Sequence, residues 1–371
     1  MYLGSKENQL YALKVYLPGA SKEAAYKIEA DFLAKLSYPH LINMVDHRAL
    51  AKFKLENRPE EKRPLIVLEL AEGGELFEFI SKLKNFSPEV TRTYLKQTLS
   101  ALKYLNDIGV THRDLKPENI LFDRNFKLKI SDFGLSRDTK GDLGDGKLRS
   151  RVGTEGYKPP EMEQGNYEGI QADIFAAGVV LFIMYNGTPP FLSTKTHDRI
   201  YKLIRDKNFQ RFWAMHERNK TKGFFPDSFK RLINSFFSAE PDRRPTFESL
   251  ETDEWLNGDE LMENELREYM GAKAAKLAEN DPNKIKMAEL SKKLCAEKRK
   301  HVVTQSWKRS AARRDPGVPW RTHPPSARKS CSLTTTTASR YAPRSCLSTP
   351  SGVWPTGPRT LPLWLPGYRA T

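Results

Sequence analysis

A chain of 371 residues is long enough for two packed lobes, or for one large domain with an appended tail, and its 39 % hydrophobic, 29 % charged composition is that of a soluble globular protein. A formal charge of +15 would point to nucleic acid or an anionic membrane, but residues 301–371 hold eleven Lys or Arg against one Asp, so the basicity belongs mostly to the C-terminal tail. All three cysteines (Cys295, Cys331, Cys346) fall at or past the end of the globular part, which excludes a disulfide framework or clustered metal ligands in the core and fits a reducing intracellular, cytoplasmic compartment.

The opening residues MYLGSKENQLYALK contain no basic region followed by an apolar run, so no signal peptide is expected. A strand is predicted over LYALKVY (10–16), bounded by the turn-like KEN and PGAS. A helix follows from Ser21, with Ile28, Phe32, Leu33 and Leu36 at helical spacing and Tyr38-Pro39 ending it. Two strands flank the polar insert NRPEEKR, the second being LIVLEL at 65–70, and AEGGE at 71–75 reads as a hinge. Helical periodicity then dominates at 90–108, 169–185, 197–204, 226–237 and 247–255. The longest apolar stretch, Ile174 to Tyr185, follows Asp173 and reads as a buried helix too short to span a bilayer, so no transmembrane segment is expected. The segment 259–300, rich in Ala, Lys, Glu and Leu with a break at Asp281-Pro282, predicts two helices. From 301 onward Pro, Ser, Thr and Arg dominate, and disorder is expected because such a composition buries too little apolar surface to offset ordering. The predicted division is a small lobe at 1–70, a large lobe at 71–258, a helical extension at 259–300 and a basic tail at 301–371. The fold class is α+β and bilobal, with strands and one main helix in the small lobe and mostly helices in the larger.

The chemistry concentrates in THRDLKPENILF (111–122) and KLKISDFGLS (127–136). Asp114, Lys116, Asn119 and Asp132 stand there as polar groups within apolar flanks, a set suited to holding a polyanion, a metal and a hydroxyl together. An ordinary loop would account for one of them, hardly for four in this order.

On these motifs the chain resembles the eukaryotic protein kinase family from Met1 to about Gly258. The resemblance implies ATP and Mg2+ as cofactors and serine/threonine phosphorylation of protein substrates. YALK places the phosphate-binding lysine at Lys14, and Glu29 matches the helix glutamate that pairs with it. HRDLKPEN assigns the catalytic aspartate to Asp114, a phosphate-contacting lysine to Lys116 and a magnesium ligand to Asn119, with His112 and Arg113 beside them. DFG supplies the second magnesium ligand, Asp132, with Phe133 packed behind it and Gly134 following. Lys116 is the feature that in this family accompanies serine/threonine specificity. By the same resemblance the adenine sits between Ala12 and Leu121 with Leu76 completing the floor, Leu68 is the gatekeeper, and Glu69 to Ala71 form the hinge contact. GTEGYKPPE (153–161) matches the substrate-seating segment, with Thr154 in it and Pro159 where Ala is usual. Glu161 is expected to pair with Arg244, and Asp173 to accept hydrogen bonds from the catalytic-loop backbone. Ser150, three residues before Gly153, matches a common activating phosphosite that Arg113 and Arg137 could grip; the alternative is an unmodified serine on a basic loop. Glu75 and Glu118 lie near the substrate's upstream side, which favours a basic residue before the phosphoacceptor; the alternative is that either is solvated or serves the ribose.

The sequence departs from the family in two places. No G-x-G-x-x-G precedes Lys14, and Met1 corresponds to the position just after that loop, so the small lobe reads as N-terminally truncated, through a truncated gene model or an alternative start. The basic stretch 283–309, with Ile285, Leu290, Leu294 and Trp307, would suit a calmodulin-like regulator or autoinhibitory docking, and equally a solvated helix. The general look of GTEGYKPPE suggests the calcium/calmodulin-dependent branch. Two rival readings are a catalytically impaired kinase-fold scaffold, and a basic tail that binds RNA or membrane with the kinase fold as carrier. No DNA partner is expected.

Overall fold

In the small lobe, alternation of side chains along each strand sets which residues meet the helix and which face away from it. The computed structural model describes residues 1–6, 9–53 and 60–278. Strands β1 (Tyr2–Lys6), β2 (Gln9–Val15), β3 (Met44–Phe53) and β4 (Glu61–Glu69) form an antiparallel sheet in the order β1-β2-β4-β3. Helix α1 (Ala20–Leu33) connects β2 to β3 and packs by Tyr26, Ala30 and Leu33 into the main core with Ile66 and Leu68 of β4. Leu13, Leu65 and Val67 form a separate apolar cluster on the other side of the sheet.

Two strands differ from expectation. Periodicity alone does not predict β1, where Gly4 and Ser5 interrupt the apolar residues; its register with β2, from Tyr2 opposite Leu13 to Lys6 opposite Gln9, is a tertiary choice. The strand expected at 65–70 begins at Glu61, because Glu61–Arg63 pair with Phe53–Ala51 across a long hairpin. The helix expected to reach Tyr38 stops at Leu33, and Leu36 is buried in the turn that follows.

The large lobe comprises β5 (Gly74–Glu75), α2 (Leu76–Leu83), α3 (Pro88–Asp107), β6 (Val110–Thr111), β7 (Ile120–Phe122), β8 (Leu128–Ile130), β9 (Arg137–Asp138), α4 (Pro160–Gln164) and α5 (Gly169–Asn186). It continues through α6 (Arg199–Arg205), α7 (Phe209–Glu217), α8 (Asp227–Phe236), α9 (Phe247–Glu251) and α10 (Glu263–Ala278). The bilobal expectation is thus met: a strand-rich lobe with one helix, then a mostly helical lobe. Helices α2, α4 and α7 are additions to the predicted set, each short, though Leu76/Phe79/Ile80 and Phe209/Phe212/Trp213 carry legible three-and-four spacings.

Ser87 caps α3 by accepting from the Val90 N–H, with Pro88 at the first helical position. Helix α5 is apolar on every side, which is the pattern of a helix enclosed by others. At 18 residues it is long and apolar enough to cross a membrane, longer than the stretch picked out by sequence, yet 89 % of it is buried within the protein. Gly178 lets α8 approach, since a Cβ there would stand 2.4 Å from the Phe236 Cβ. Gly187 ends α5 at φ 87°, a left-handed position that glycine adopts without strain.

The lobes are joined by more than the hinge. Ile42 N–H donates to the Ile130 carbonyl and Ile130 N–H to the His40 carbonyl, both at 2.8 Å, which ties the entry to β3 onto β8. The Glu69 carboxylate accepts from Lys129 Nζ at 2.7 Å and from the Asn43 backbone and side-chain amides at 2.9 and 3.0 Å. One apolar core runs through both lobes, from Tyr26 and Leu33 by way of Leu41 and Phe133 to α5. The second helix expected before residue 300, the basic stretch at 283–309 and the tail at 301–371 lie outside the described residues.

Candidate active site

Strand alternation puts Ala12, Lys14 and Tyr16 on one face, towards α1. Lys14 Nζ donates to Glu29 Oε1 at 2.6 Å and to Asp132 Oδ1 at 2.8 Å, so three residues from β2, α1 and the loop after β8 meet at one ammonium. Burial works against this charge, but Glu29 and then Asp132 outweigh it and the Lys14 pKa is raised. Asp132 is open to solvent, with 47 % of its side chain exposed. Desolvation would push its carboxyl up; Lys14 prevails and holds it below the ordinary aspartate value. Glu29, 2 % exposed, goes the other way: burial raises its pKa despite Lys14. Gly134 fits between the carboxylates, since a Cβ there would lie 3.3 Å from Asp132 Oδ1 and 3.4 Å from Glu29 Oε2.

The loop between β6 and β7 is held from below. Asp173 Oδ2 accepts from Thr111 Oγ1 and the His112 N–H, and Oδ1 from the Arg113 N–H, all at 2.7 Å. Arg113 and Asp132 both sit at φ 67°, an uncommon region for residues with a side chain and one that clusters at functional sites. His112 bonds the Ser131 carbonyl through Nε2 at 3.0 Å and meets the buried Phe133 ring edge-on at 5.0 Å.

Asp114, 9 % exposed, is the centre of a second cluster. Its Oδ1 accepts from Thr154 Oγ1 at 2.7 Å, and its Oδ2 from Lys116 Nζ at 2.8 Å and Asn119 Nδ2 at 3.2 Å. Lys116 Nζ also reaches Thr154 Oγ1 at 2.7 Å, and Asn119 Nδ2 the Asp114 carbonyl at 2.8 Å. With its amide nitrogen so engaged, Asn119 has its side-chain oxygen as the group able to ligate a cation. Among the described residues no group of three or more His, Cys, Asp or Glu could hold a metal by itself. The Asn119 amide oxygen and the Asp132 carboxylate are hard oxygen donors, the chemistry that suits a cation such as magnesium, which fills the rest of its shell with water and phosphate oxygens.

The remaining expected residues are placed as follows. Ala12, Ala71, Leu121 and Glu75 are half-buried, and Leu68 is buried. Leu76 is fully enclosed in the core, and the Glu69 side chain is taken up by Lys129 and Asn43. Glu118 is half-buried with Oε2 lacking a hydrogen-bond partner, and burial raises its pKa. Arg113 Nη1 donates to Ser150 Oγ at 2.6 Å and to Tyr167 Oη at 3.0 Å, while its Nη2 is buried without a partner. Arg137 bonds the Ser136 carbonyl at 2.8 Å rather than Ser150; burial first, then the Arg113 charge, lowers its pKa. Arg244 meets Glu161 through two bonds, at 2.5 and 2.8 Å. Sequence reading missed Tyr167 and Thr111, whose hydroxyls serve Arg113 and Asp173, and Tyr16; a lone hydroxyl carries no periodic signal.

A family model of the protein kinase domain matches residues 2–256. The chain belongs to the protein kinase family. This kinase domain is 36 % identical over 218 residues to CBL-interacting serine/threonine-protein kinase 5 of Arabidopsis thaliana, covering 58 % of this chain and 46 % of that protein. It is 34 % identical over 230 residues to CBL-interacting protein kinase 26 of Oryza sativa subsp. japonica, covering 62 % and 42 %. With CBL-interacting serine/threonine-protein kinase 20 of Arabidopsis thaliana the identity is 32 % over 231 residues, 62 % and 48 % of the two chains. The kinase chain spans about half the length of the curated relatives it matches.

Proposed function

We propose that this kinase transfers the terminal phosphoryl group of ATP to serine or threonine hydroxyls of protein substrates. The observation that carries the reading is Lys14 bonded at once to Glu29 and Asp132, which assembles a cation and a metal-ligand carboxylate from segments 118 residues apart. Membership of the family and relatives named as serine/threonine kinases support it.

In this reading Lys14 grips the upstream phosphates, fixed in direction by Glu29. Asn119 and Asp132 hold Mg2+, which when bound neutralises charge on the phosphate oxygens. Asp114 orients the acceptor hydroxyl and takes its proton, its own position set by Thr154 and Lys116. Lys116 also offers a cation near the transferring group. The adenine lies between Ala12 and Leu121, behind the gatekeeper Leu68 and along the main chain of Glu69 to Ala71. Since Leu76 is enclosed, its share of the floor passes to Leu121.

Glu118, with a buried unpaired oxygen, supports a basic substrate residue upstream of the acceptor, alongside Glu75. The Arg113 guanidinium beside Ser150, with one nitrogen unpartnered and Arg137 close by, supports a phosphate on Ser150 as activator. The relatives' names record interaction with CBL, and a calmodulin-like regulatory protein is our proposal for this chain too. The cytoplasmic location read from the cysteines belongs to the same proposal.

The test is phosphoryl transfer to a basic serine peptide by the full chain. Asp132→Ala should abolish it, and Asp114→Asn should lower kcat about a hundredfold or more while leaving nucleotide affinity nearly intact. Transfer that survives Asp132→Ala, or normal turnover by Asp114→Asn, would refute the assignment.

A further inference from the structure

Lys14 occupies only one oxygen of Glu29. The other, Oε2, points into the lobe interior, where an unpaired carboxylate oxygen would be costly. Tyr16 meets it. Two residues beyond Lys14, and therefore on the same side of the strand, Tyr16 donates from its hydroxyl to Glu29 Oε2 at 2.5 Å. Its backbone N–H continues the sheet by bonding the Pro64 carbonyl at 2.9 Å. The ring is 8 % exposed and rests edge-on against Tyr26, with centroids 5.5 Å apart. Tyr26 is itself anchored through its hydroxyl to His47 Nδ1 of β3 at 2.9 Å. One strand thus grips both oxygens of a single helix carboxylate, and that grip fixes the rotation of the carboxylate and the seat of α1.

We infer that Tyr16 is a positioning residue for the phosphoryl-transfer site, acting through Glu29 to aim Lys14. The inference rests on the kinase reading above for its functional half. Without the hydroxyl, Oε2 is buried and unsatisfied, so Glu29 turns or draws away from Lys14. Asp132 then holds the ammonium alone and pulls it towards the metal-ligand side of the cleft. The electrostatics agree: burial raises the Glu29 pKa, and the Tyr16 hydroxyl is among the groups that oppose the rise. A buried phenol needs some hydrogen-bond partner, and a purely structural tyrosine could satisfy that need without reaching the nucleotide's partner. The experiment has to separate these roles.

Tyr16→Phe in the full chain keeps the ring and its packing. We expect kcat/KM for Mg-ATP to fall about tenfold, the scale of one hydrogen bond to a charged group, mainly through KM for ATP, with KM for the peptide unchanged. In a Glu29→Gln background the same substitution should change kcat/KM by less than about twofold, because its effect runs through Glu29. Hydrogen exchange of the α1 amides should quicken in Tyr16→Phe while that of α3 and α5 stays level. An undiminished fall in the Glu29→Gln background, or unchanged kcat/KM together with unchanged α1 exchange, would overturn the inference. If the unsubstituted chain shows no Asp132-dependent transfer, the kinase reading fails on its own. The α1 exchange then judges the Tyr16–Glu29 grip, faster exchange supporting it and unchanged exchange overturning it.

Discussion

Asp173→Asn is the substitution whose cost can be worked most directly from the geometry. Asp173 is 1 % exposed and receives three hydrogen bonds, two on Oδ2 and one on Oδ1. Asparagine keeps a single oxygen. Placed where Oδ2 was, it still serves Thr111 and His112 but turns its NH2 group against the Arg113 N–H; placed the other way, it keeps the Arg113 bond and donates to the Thr111 hydroxyl, but turns that NH2 group against the His112 N–H. Either arrangement forfeits a bond to a charged acceptor and leaves a buried donor facing a donor, together about 3–5 kcal/mol. It also releases the backbone of Arg113, whose φ of 67° is sustained only by its surroundings. For a domain of this size the expected loss is about 10 °C in Tm, and turnover should fall further than stability alone requires, because Asp114 is the next residue. The matching control is Thr111→Val, which removes one hydroxyl and should cost about 1 kcal/mol with turnover largely kept. Urea unfolding followed by tryptophan fluorescence, with peptide phosphorylation on the same preparations, measures both. Asp173→Asn within about 1 kcal/mol of the unsubstituted chain, or no worse than Thr111→Val, would refute the reasoning.

The buried pair makes a second prediction. Arg244 is fully enclosed, stacks over Phe175 at 5.0 Å and also donates to the Gln171 and Ser238 carbonyls, so Glu161→Gln strands its charge and should cost about 3–5 kcal/mol by thermal melting. The Glu161→Leu, Arg244→Met double variant should lose less than the sum of the two single changes, since no charge remains buried; a strictly additive loss would count against the pair. His216 supplies a pH prediction: its ring lies edge-on to Phe182 and Phe212, and burial pushes the imidazole from 6.5 down to about 4. The unfolded chain binds that proton first as pH falls, so the stability His216 contributes is whole above pH 6.5 and is lost towards pH 4. Between pH 7 and pH 5 the unsubstituted chain should lose about 2 kcal/mol more than His216→Gln, read from urea midpoints, and equal slopes would contradict the burial argument.

Much of this protein is legible in its sequence. Apolar periodicity located α1, α3, α5 and α8, because a helix that buries one face or all of its faces must repeat at helical spacing. The motif residues Lys14, Asp114, Asn119 and Asp132 could be named from sequence because each stands in a short run of residue types at fixed local spacing. Local pattern could not show β1, whose strand character depends on pairing with β2, or the early start of β4, which draws the polar Glu61–Arg63 into a hairpin with Ala51–Phe53. Nor could it show what each polar group touches: that Glu69 is spent on Lys129 and Asn43, that Arg137 turns to Ser136 while Arg113 takes Ser150, or that Tyr16 closes on Glu29. Apart from Arg137 and its neighbour Ser136, those pairings join residues 13 to 60 positions apart. Sequence determined which groups had to be sheltered or paired; the partner of each was decided only when strands, α1 and the loop between β6 and β7 met, because a hydrogen bond forms with whatever the fold brings within about 3 Å.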